Sequence, residues 1–148
     1  MERAFRRLDR DDMDAAAIVH RAAFDDRLPW LSGLHTPYED RDYFREHVFA
    51  ACTVWGAFAN HALVGFVAFR EGWVDQLYVL PGDQGSGVGS RLLRIAQSRF
   101  EALSLWTFQR NTGARAFYEA HGFKIEELTD GSGNDEREPD VRYRWVRP

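Results

Sequence analysis

Two stretches of the chain carry residue types at spacings that could do chemistry. The first is Val79-Leu80-Pro81-Gly82-Asp83-Gln84-Gly85-Ser86-Gly87-Val88-Gly89-Ser90-Arg91-Leu92-Leu93, which holds four of the chain's 12 glycines. Glycine has no Cβ, so successive amide N–H groups can converge there on one anion. A strand-like run ends before the turn and a helical period begins after it. A helix N-terminus therefore adds free donors and a favourable dipole, which suits a phosphate or pyrophosphate. The plainer use of such a run is a tight turn that only lets a helix pack on a strand. The second stretch is Asn111-Thr112-Gly113-Ala114-Arg115-Ala116-Phe117-Tyr118-Glu119-Ala120-His121-Gly122-Phe123. It reads as a short helix carrying a phenol, Tyr118, whose ordinary pKa of about 10 keeps it protonated at neutral pH.

Three phosphate-loop patterns compete for the glycine run. A Walker loop needs Gly-x-x-x-x-Gly-Lys; Gly82 and Gly87 have the spacing, but Val88 stands where the lysine belongs. A dinucleotide fingerprint needs glycine or alanine where Ser90 stands, and a βαβ setting that the preceding strands do not supply. Gln-x-x-Gly-x-Gly is met by Gln84, Gly87 and Gly89.

The elements that position these stretches follow from periodicity. Ala4 to Leu8 reads as a first strand. Asp9 to Asp12 supplies helix-start residues, and Met13, Ala16, Ala17, His20 and Phe24 recur at helical spacing. Asp25 to Tyr38 reads as an ordered loop and Glu39 to Phe49 as a second helix. Thr53 to Phe58, Leu63 to Arg70 and Trp73 to Leu80 are short, aromatic and β-branched runs split by turns. Connections that short force an antiparallel meander. Val88, Leu92, Leu93, Ile95, Ala96 and Phe100 then mark a helix, Leu103 to Phe108 a strand parallel to Trp73–Leu80, and Thr112 to His121 a helix stopped by Gly122. Phe123 to Leu128 and Val141 to Arg147 form a closing hairpin whose connection, Thr129 to Asp140, is expected to be mobile. The fold class is α/β (α+β): one domain over residues 1–148, a mixed, mostly antiparallel sheet of about seven strands flanked by about four helices.

With both stretches in view, the chain resembles the GNAT superfamily of acetyl-CoA-dependent N-acetyltransferases. Gln84 to Gly89, with Leu77 to Pro81 before it and Ser90 to Leu93 after it, resembles that family's acyl-CoA signature. Asn111 to Phe123 resembles its next motif, in the same order and at a compatible separation. The resemblance covers nearly the whole chain and is weak between Phe24 and Phe49. It implies that the strands at Trp73–Leu80 and Leu103–Phe108 splay apart and admit the pantetheine of acetyl-CoA, which bonds to backbone at Leu77, Tyr78 and Val79 as an added strand would. The pyrophosphate would sit over the amides of Gly85, Ser86, Gly87, Val88, Gly89 and Ser90, beside Gln84. Asn111 would bond the pantetheine arm, with Phe117 among the cofactor-binding residues.

The chemistry so implied is direct attack of a primary amine on acetyl-CoA in a ternary complex. The amine must lose a proton, the oxyanion needs donors, and the departing thiolate benefits from a proton. By the resemblance, Tyr118 is the acid, a backbone N–H between Tyr78 and Leu80 holds the oxyanion, and Asp75 is the base. Asp75 as a strand-edge carboxylate, Glu71, His35 and a water-only route stay open. Arg91, Arg94 and Arg115 could meet the cofactor's phosphates, the plainer reading being helix arginines that are solvated or ion-paired. The acceptor should lie between the first two helices, their loop and the last hairpin, with Trp30, His35, Tyr38, Trp73 and Trp106 as lining. A protein N-terminus or lysine acceptor, a silent acyl-CoA-binding module and an acetylating toxin acting on charged tRNA are the alternatives to a small-molecule amine.

Composition bounds the rest. The chain has 148 residues, 45% hydrophobic and 28% charged, which fits a globular domain and excludes a wholly disordered one. The net charge of −4 argues against a nucleic-acid partner. No apolar run reaches the length of a membrane helix, and Met1 to Arg7 lacks the apolar core of a leader peptide, so a cytoplasmic location is expected. One cysteine, Cys52, allows no internal disulfide, and five scattered histidines show no metal-ligand spacing. Glu126 to Asp140 holds seven carboxylates and one arginine, read as a solvated loop or as an attractor of a cationic acceptor. Family habit leaves room for a homodimer.

Overall fold

Alternating apolar residues and two tight turns build the sheet's first half. The computed structural model describes residues 3–148; Met1 and Glu2, part of the segment read as lacking a leader, lie outside them. β1 (Arg3–Arg7), β2 (Thr53–Ala59), β3 (Ala62–Arg70) and β4 (Trp73–Val79) pair antiparallel in that order. Asn60 and His61 take positive φ in the β2–β3 turn and Gly72 in the β3–β4 turn, so each reversal is completed within two residues. β5 (Ala102–Phe108) is reached through a crossover helix and runs parallel to β4. β6 (Lys124–Leu128) and β7 (Asp140–Val146) close the sheet, and β7 sits between β5 and β6, giving the order β1-β2-β3-β4-β5-β7-β6.

Helices cover both faces. α1 (Met13–Arg27) follows a capping box at Asp9 and Asp12. α2 begins at Pro37–Tyr43, earlier than expected, because Thr36 and Glu39 form a capping box around Pro37. It runs through a π-helical turn (Phe44–Val48) to Phe49–Ala51. These two helices seal Met13, Ala16, Phe44 and Val48 against Val54, Phe66 and Ala68 of the sheet. Arg21 and Asp40 clamp them together, Nε to Oδ2 at 2.8 Å and Nη2 to Oδ1 at 2.9 Å. On the other face, α3 (Val88–Gln97) and α4 (Thr112–Ala120) bury Leu92, Leu93, Ala96 and Tyr118 against Val67, Phe69, Leu103 and Tyr143. Among the described residues no helix is long and apolar enough to cross a membrane.

The connection between β6 and β7 differs from expectation. It is cross-linked to the body of the protein. Gln109 Nε2 donates to the carbonyls of Thr129 and Asp140 at 2.8 and 3.0 Å. Asn134 Nδ2 donates to Glu138 O at 2.8 Å, and Trp30 Nε1 donates to Glu138 Oε1 at 2.9 Å. Composition alone suggested a solvated loop because the partners that tie it to the body lie 20 to 108 positions away in the chain.

Candidate active site

β4 and β5 share a single register pair, Trp73 with Ser104, and one anchoring bond, Ser104 N to Gly72 O at 2.8 Å. Beyond it the two strands part. The gap opens into a cleft of about 410 Å³ walled by the end of β4, the glycine turn, the starts of α3 and α4, the end of β5 and the last two turns of α1. Leu77, Tyr78, Val79, Gln84, Gly85, Gly87, Gly89, Ser90, Asn111, Phe117 and Tyr118 all line it. The structure thus brings together most of the residues singled out in the sequence. Ser86, Val88 and Asp75 do not line the cleft: Ser86 Oγ turns back to Asp83 O, and Val88 is buried in the core.

The glycine turn fits an anionic group by its backbone. Gly85 and Gly87 hold φ of +77° and +89°, a region that costs an L side chain about 1–2 kcal/mol. Gly87 caps α3 without a side-chain hydrogen bond, and none of the amides from Gly85 to Ser90 finds an acceptor in the described residues. Gly89 faces the Phe117 ring, which a Cβ would meet at 3.4 Å. The Val79 carbonyl points into the cleft, where Gln84 Nε2 donates to it at 2.9 Å. A strand edge with an accessible carbonyl beside a row of free amides accepts an extended amide-bearing arm joined to a diphosphate, the chemistry of coenzyme A.

Two side chains fix the starts of the helices. Asn111 Oδ1 accepts from Ala114 N at 3.2 Å as the cap of α4, leaving its amide nitrogen for the cleft. His121 bridges the helices: Nδ1 lies 2.8 Å from Phe117 O and Nε2 lies 3.0 Å from Ser90 Oγ. A carbonyl only accepts, so Nδ1 carries the proton and the Ser90 hydroxyl donates to Nε2.

Tyr118 is 8% exposed, packed by Phe117, Phe123 and Tyr143, and its hydroxyl has no hydrogen-bond partner among the described residues. Burial, reinforced by Tyr78, pushes its pKa well above the ordinary phenol value. Tyr78 is pushed up to about 12, first by burial and then by the carboxylate of Glu136, while Arg21 pulls the other way. Two protonated phenols therefore line the same cleft. Glu136 acts on Tyr78 from the β6–β7 loop, a placement that sequence periodicity had no means to show.

Asp75 occupies a bulge: Val74 pairs with Phe69 and Gln76 with Ala68, so Asp75 is the extra residue. Its Oδ2 takes a hydrogen bond from Arg70 Nε at 2.8 Å and lies 3.3 Å from Cys52 Sγ. Burial, with Asp75 alongside, raises the Cys52 thiol to about 12. Of the aromatic residues expected to line the acceptor side, Trp106 does so and is joined by Phe24 and Phe108, while Trp30 instead ties the β6–β7 loop. Arg91 stacks on Phe5 and Arg115 bonds Tyr143, so neither is free for a phosphate. Among the described residues no three His, Cys, Asp or Glu side chains converge as metal ligands would.

A mixed sheet parted between its parallel strands, with a glycine turn feeding a helix beside the gap, is the architecture of an acyltransferase. The comparisons agree. The family model for the acetyltransferase (GNAT) domain matches residues 50–125. The chain is 32% identical to a blasticidin-S acetyltransferase of Streptomyces morookaense over 110 residues, 68% of this chain and 77% of that protein. It is 38% identical over 64 residues to the peptidyl-lysine N-acetyltransferase YiaC of Escherichia coli K12, a match that spans 43% of this chain and 44% of that protein. The solution structure of the apo form of YjaB from Escherichia coli superposes with a TM-score of 0.82 over the full length of both chains, at 23% identity. The chain belongs to the GNAT acetyltransferase family.

Proposed function

We propose that the protein moves an acetyl group from acetyl-CoA to a primary amine of a small molecule, by direct attack in a ternary complex. Acetyl-CoA supplies the activated acetyl thioester when bound. The amides of Gly85 to Ser90 hold its diphosphate, the edge of β4 at Leu77 and Val79 aligns its pantetheine, Asn111 Nδ2 donates to that arm, and Phe117 packs beside it. Tyr118 holds a proton at Oη for the leaving sulfur. Burial keeps the phenol protonated at neutral pH, so its proton is in place when the thiolate departs. A backbone N–H of the Tyr78–Leu80 stretch donates to the developing oxyanion.

The observation that carries the small-molecule reading is the aromatic wall of the cleft, where Phe24, Trp106 and Phe108 line it beside Tyr118. The β6–β7 loop is tied down through Trp30 and Glu138, outside that lining. Glu136 and its acidic neighbours favour a cationic acceptor such as an amino sugar or polyamine. For the proton of the amine we propose Asp75 acting through water, since its carboxylate is held by Arg70 outside the cleft wall. A blasticidin-S acetyltransferase among the relatives supports the same acceptor class, whereas the lysine acetyltransferase supports a peptide acceptor.

The test has two stages. Thermal unfolding is followed with acetyl-CoA, NAD and ATP; a selective rise of about 2.7 kcal/mol in apparent stability is expected at ~100 times the Kd of acetyl-CoA. Thiol release is then compared across amines and lysine peptides. Turnover on lysine peptides alone would transfer the reading to a protein acceptor, and no rise at millimolar acetyl-CoA would remove it.

A further inference from the structure

Arg27 is the one charged side chain among the residues that line the cleft. It projects from the last turn of α1, and no carboxylate of the described residues lies within ion-pair distance of it. Its hydrogen bond goes to a neutral group, Nη2 to Gln84 Oε1 at 2.5 Å. Its guanidinium also lies against Gly113 at the start of α4, so close that a Cβ there would sit 1.9 Å from Nη1. Other arginines of this wall are spoken for. Arg3 pairs with Asp83 at 3.3 Å, which also removes the nearest carboxylate of the glycine turn, and Arg21 is held by Asp25 and Asp40. A planar cation placed between the glycine turn and α4 without a counter-charge is complementary to an anion with several oxygens.

We infer that Arg27 is a binding residue for the diphosphate of coenzyme A, reaching across the mouth of the cleft from α1 to the anion seated on the glycine turn. This rests on the cofactor reading above and adds to it a side chain that the signature motifs do not contain. Gln84 holds the guanidinium in position: its Oε1 accepts from Arg27 and its Nε2 donates to Val79 O, so one side chain links the cation to the edge of β4. Gly113 follows from the same arrangement, because a larger residue would displace the guanidinium.

The experiment is calorimetric titration of CoA, dephospho-CoA and pantetheine into the wild type, Arg27→Ala and Arg27→Lys, at low and moderate salt. Arg27→Ala is expected to weaken CoA and dephospho-CoA roughly ten- to hundredfold and to reduce the salt dependence of their binding, with pantetheine unmoved. Arg27→Lys restores part of the loss, as a point charge without the bidentate fork. Unchanged CoA affinity in Arg27→Ala would overturn the inference, as would an equal loss for pantetheine or a loss for CoA that dephospho-CoA does not share. A raised acceptor KM with unaltered CoA binding would also overturn it by moving Arg27 to the acceptor. Failure of the wild type to bind CoA at all would instead defeat the cofactor reading beneath it.

Discussion

The glycine-turn wall of the cleft offers backbone, whereas the side made by α1, the end of β5 and, outside the lining, the β6–β7 loop offers side chains. On the first wall, free amides from Gly85 to Ser90 and the Val79 carbonyl are fixed by local conformation, and the stretch from Val79 to Ser90 suffices to build them. On the second, Trp30 meets Glu138 across 108 positions, and Arg110 stacks on the Trp30 ring at 3.8 Å. Backbone recognition of a phosphate tolerates change in the surrounding side chains, whereas a side-chain wall is respecified with each substitution. The first wall should therefore set the cofactor and the second the acceptor, and single substitutions can separate them.

The largest effect is expected at the junction of the walls. Tyr118→Phe should lower kcat by about 100-fold or more, the usual range for a lost general acid, while CoA affinity and melting temperature stay near wild type. Steady-state kinetics beside a binding isotherm would check this, and wild-type turnover would remove Tyr118 from the mechanism. Gly87→Ala tests the backbone wall. It forces a side chain into φ near +89° at about 1–2 kcal/mol, so the KM for acetyl-CoA should rise by about tenfold while the acceptor KM changes little. Glu138→Ala tests the other wall. Losing the Trp30 bond of this buried carboxylate should cost ~1–3 kcal/mol in urea unfolding and raise the acceptor KM, with CoA binding preserved. If both KM values rise in either variant, the division between the walls fails.

The smallest effect concerns pH. His20, on α1 behind Tyr78, has its pKa lowered to about 4 by burial and by Arg21, with Asp40 and Asp25 opposing. An unfolded histidine titrates near 6.5, so the unfolded state binds the proton more readily between those values. The stability that neutral His20 contributes is thus present above about pH 6.5 and is lost as pH falls towards 4, at most a few kcal/mol. His20→Phe should flatten the melting temperature between pH 7 and 5 relative to wild type. An identical slope in both proteins would show that other groups carry the acid sensitivity.

Much of the cofactor wall was legible in the sequence. Gly85 and Gly87 signal a left-handed backbone that other residues rarely adopt, and the strand-to-helix switch around them is a local pattern. The capping box at Thr36 and Glu39 was equally legible and marks the start of α2 two residues before the expected Glu39. Asp75 was legible as a carboxylate on β4, but the bulge that turns it towards Arg70 and Cys52 depends on how β3 pairs, which strand periodicity does not encode.

The sequence by itself determined the order of elements, the turn that presents its amides and the phenol one helix later, because each follows from backbone freedom, periodicity or residue type within a few positions. Only the tertiary structure decided that β7 enters between β5 and β6, that the acidic connection is pinned through Glu138, and that Arg27 faces the glycine turn without a counter-charge. Those outcomes rest on contacts between distant segments, where the partner of a charge or an indole N–H is chosen by packing of the whole sheet and its helices rather than by neighbouring residues.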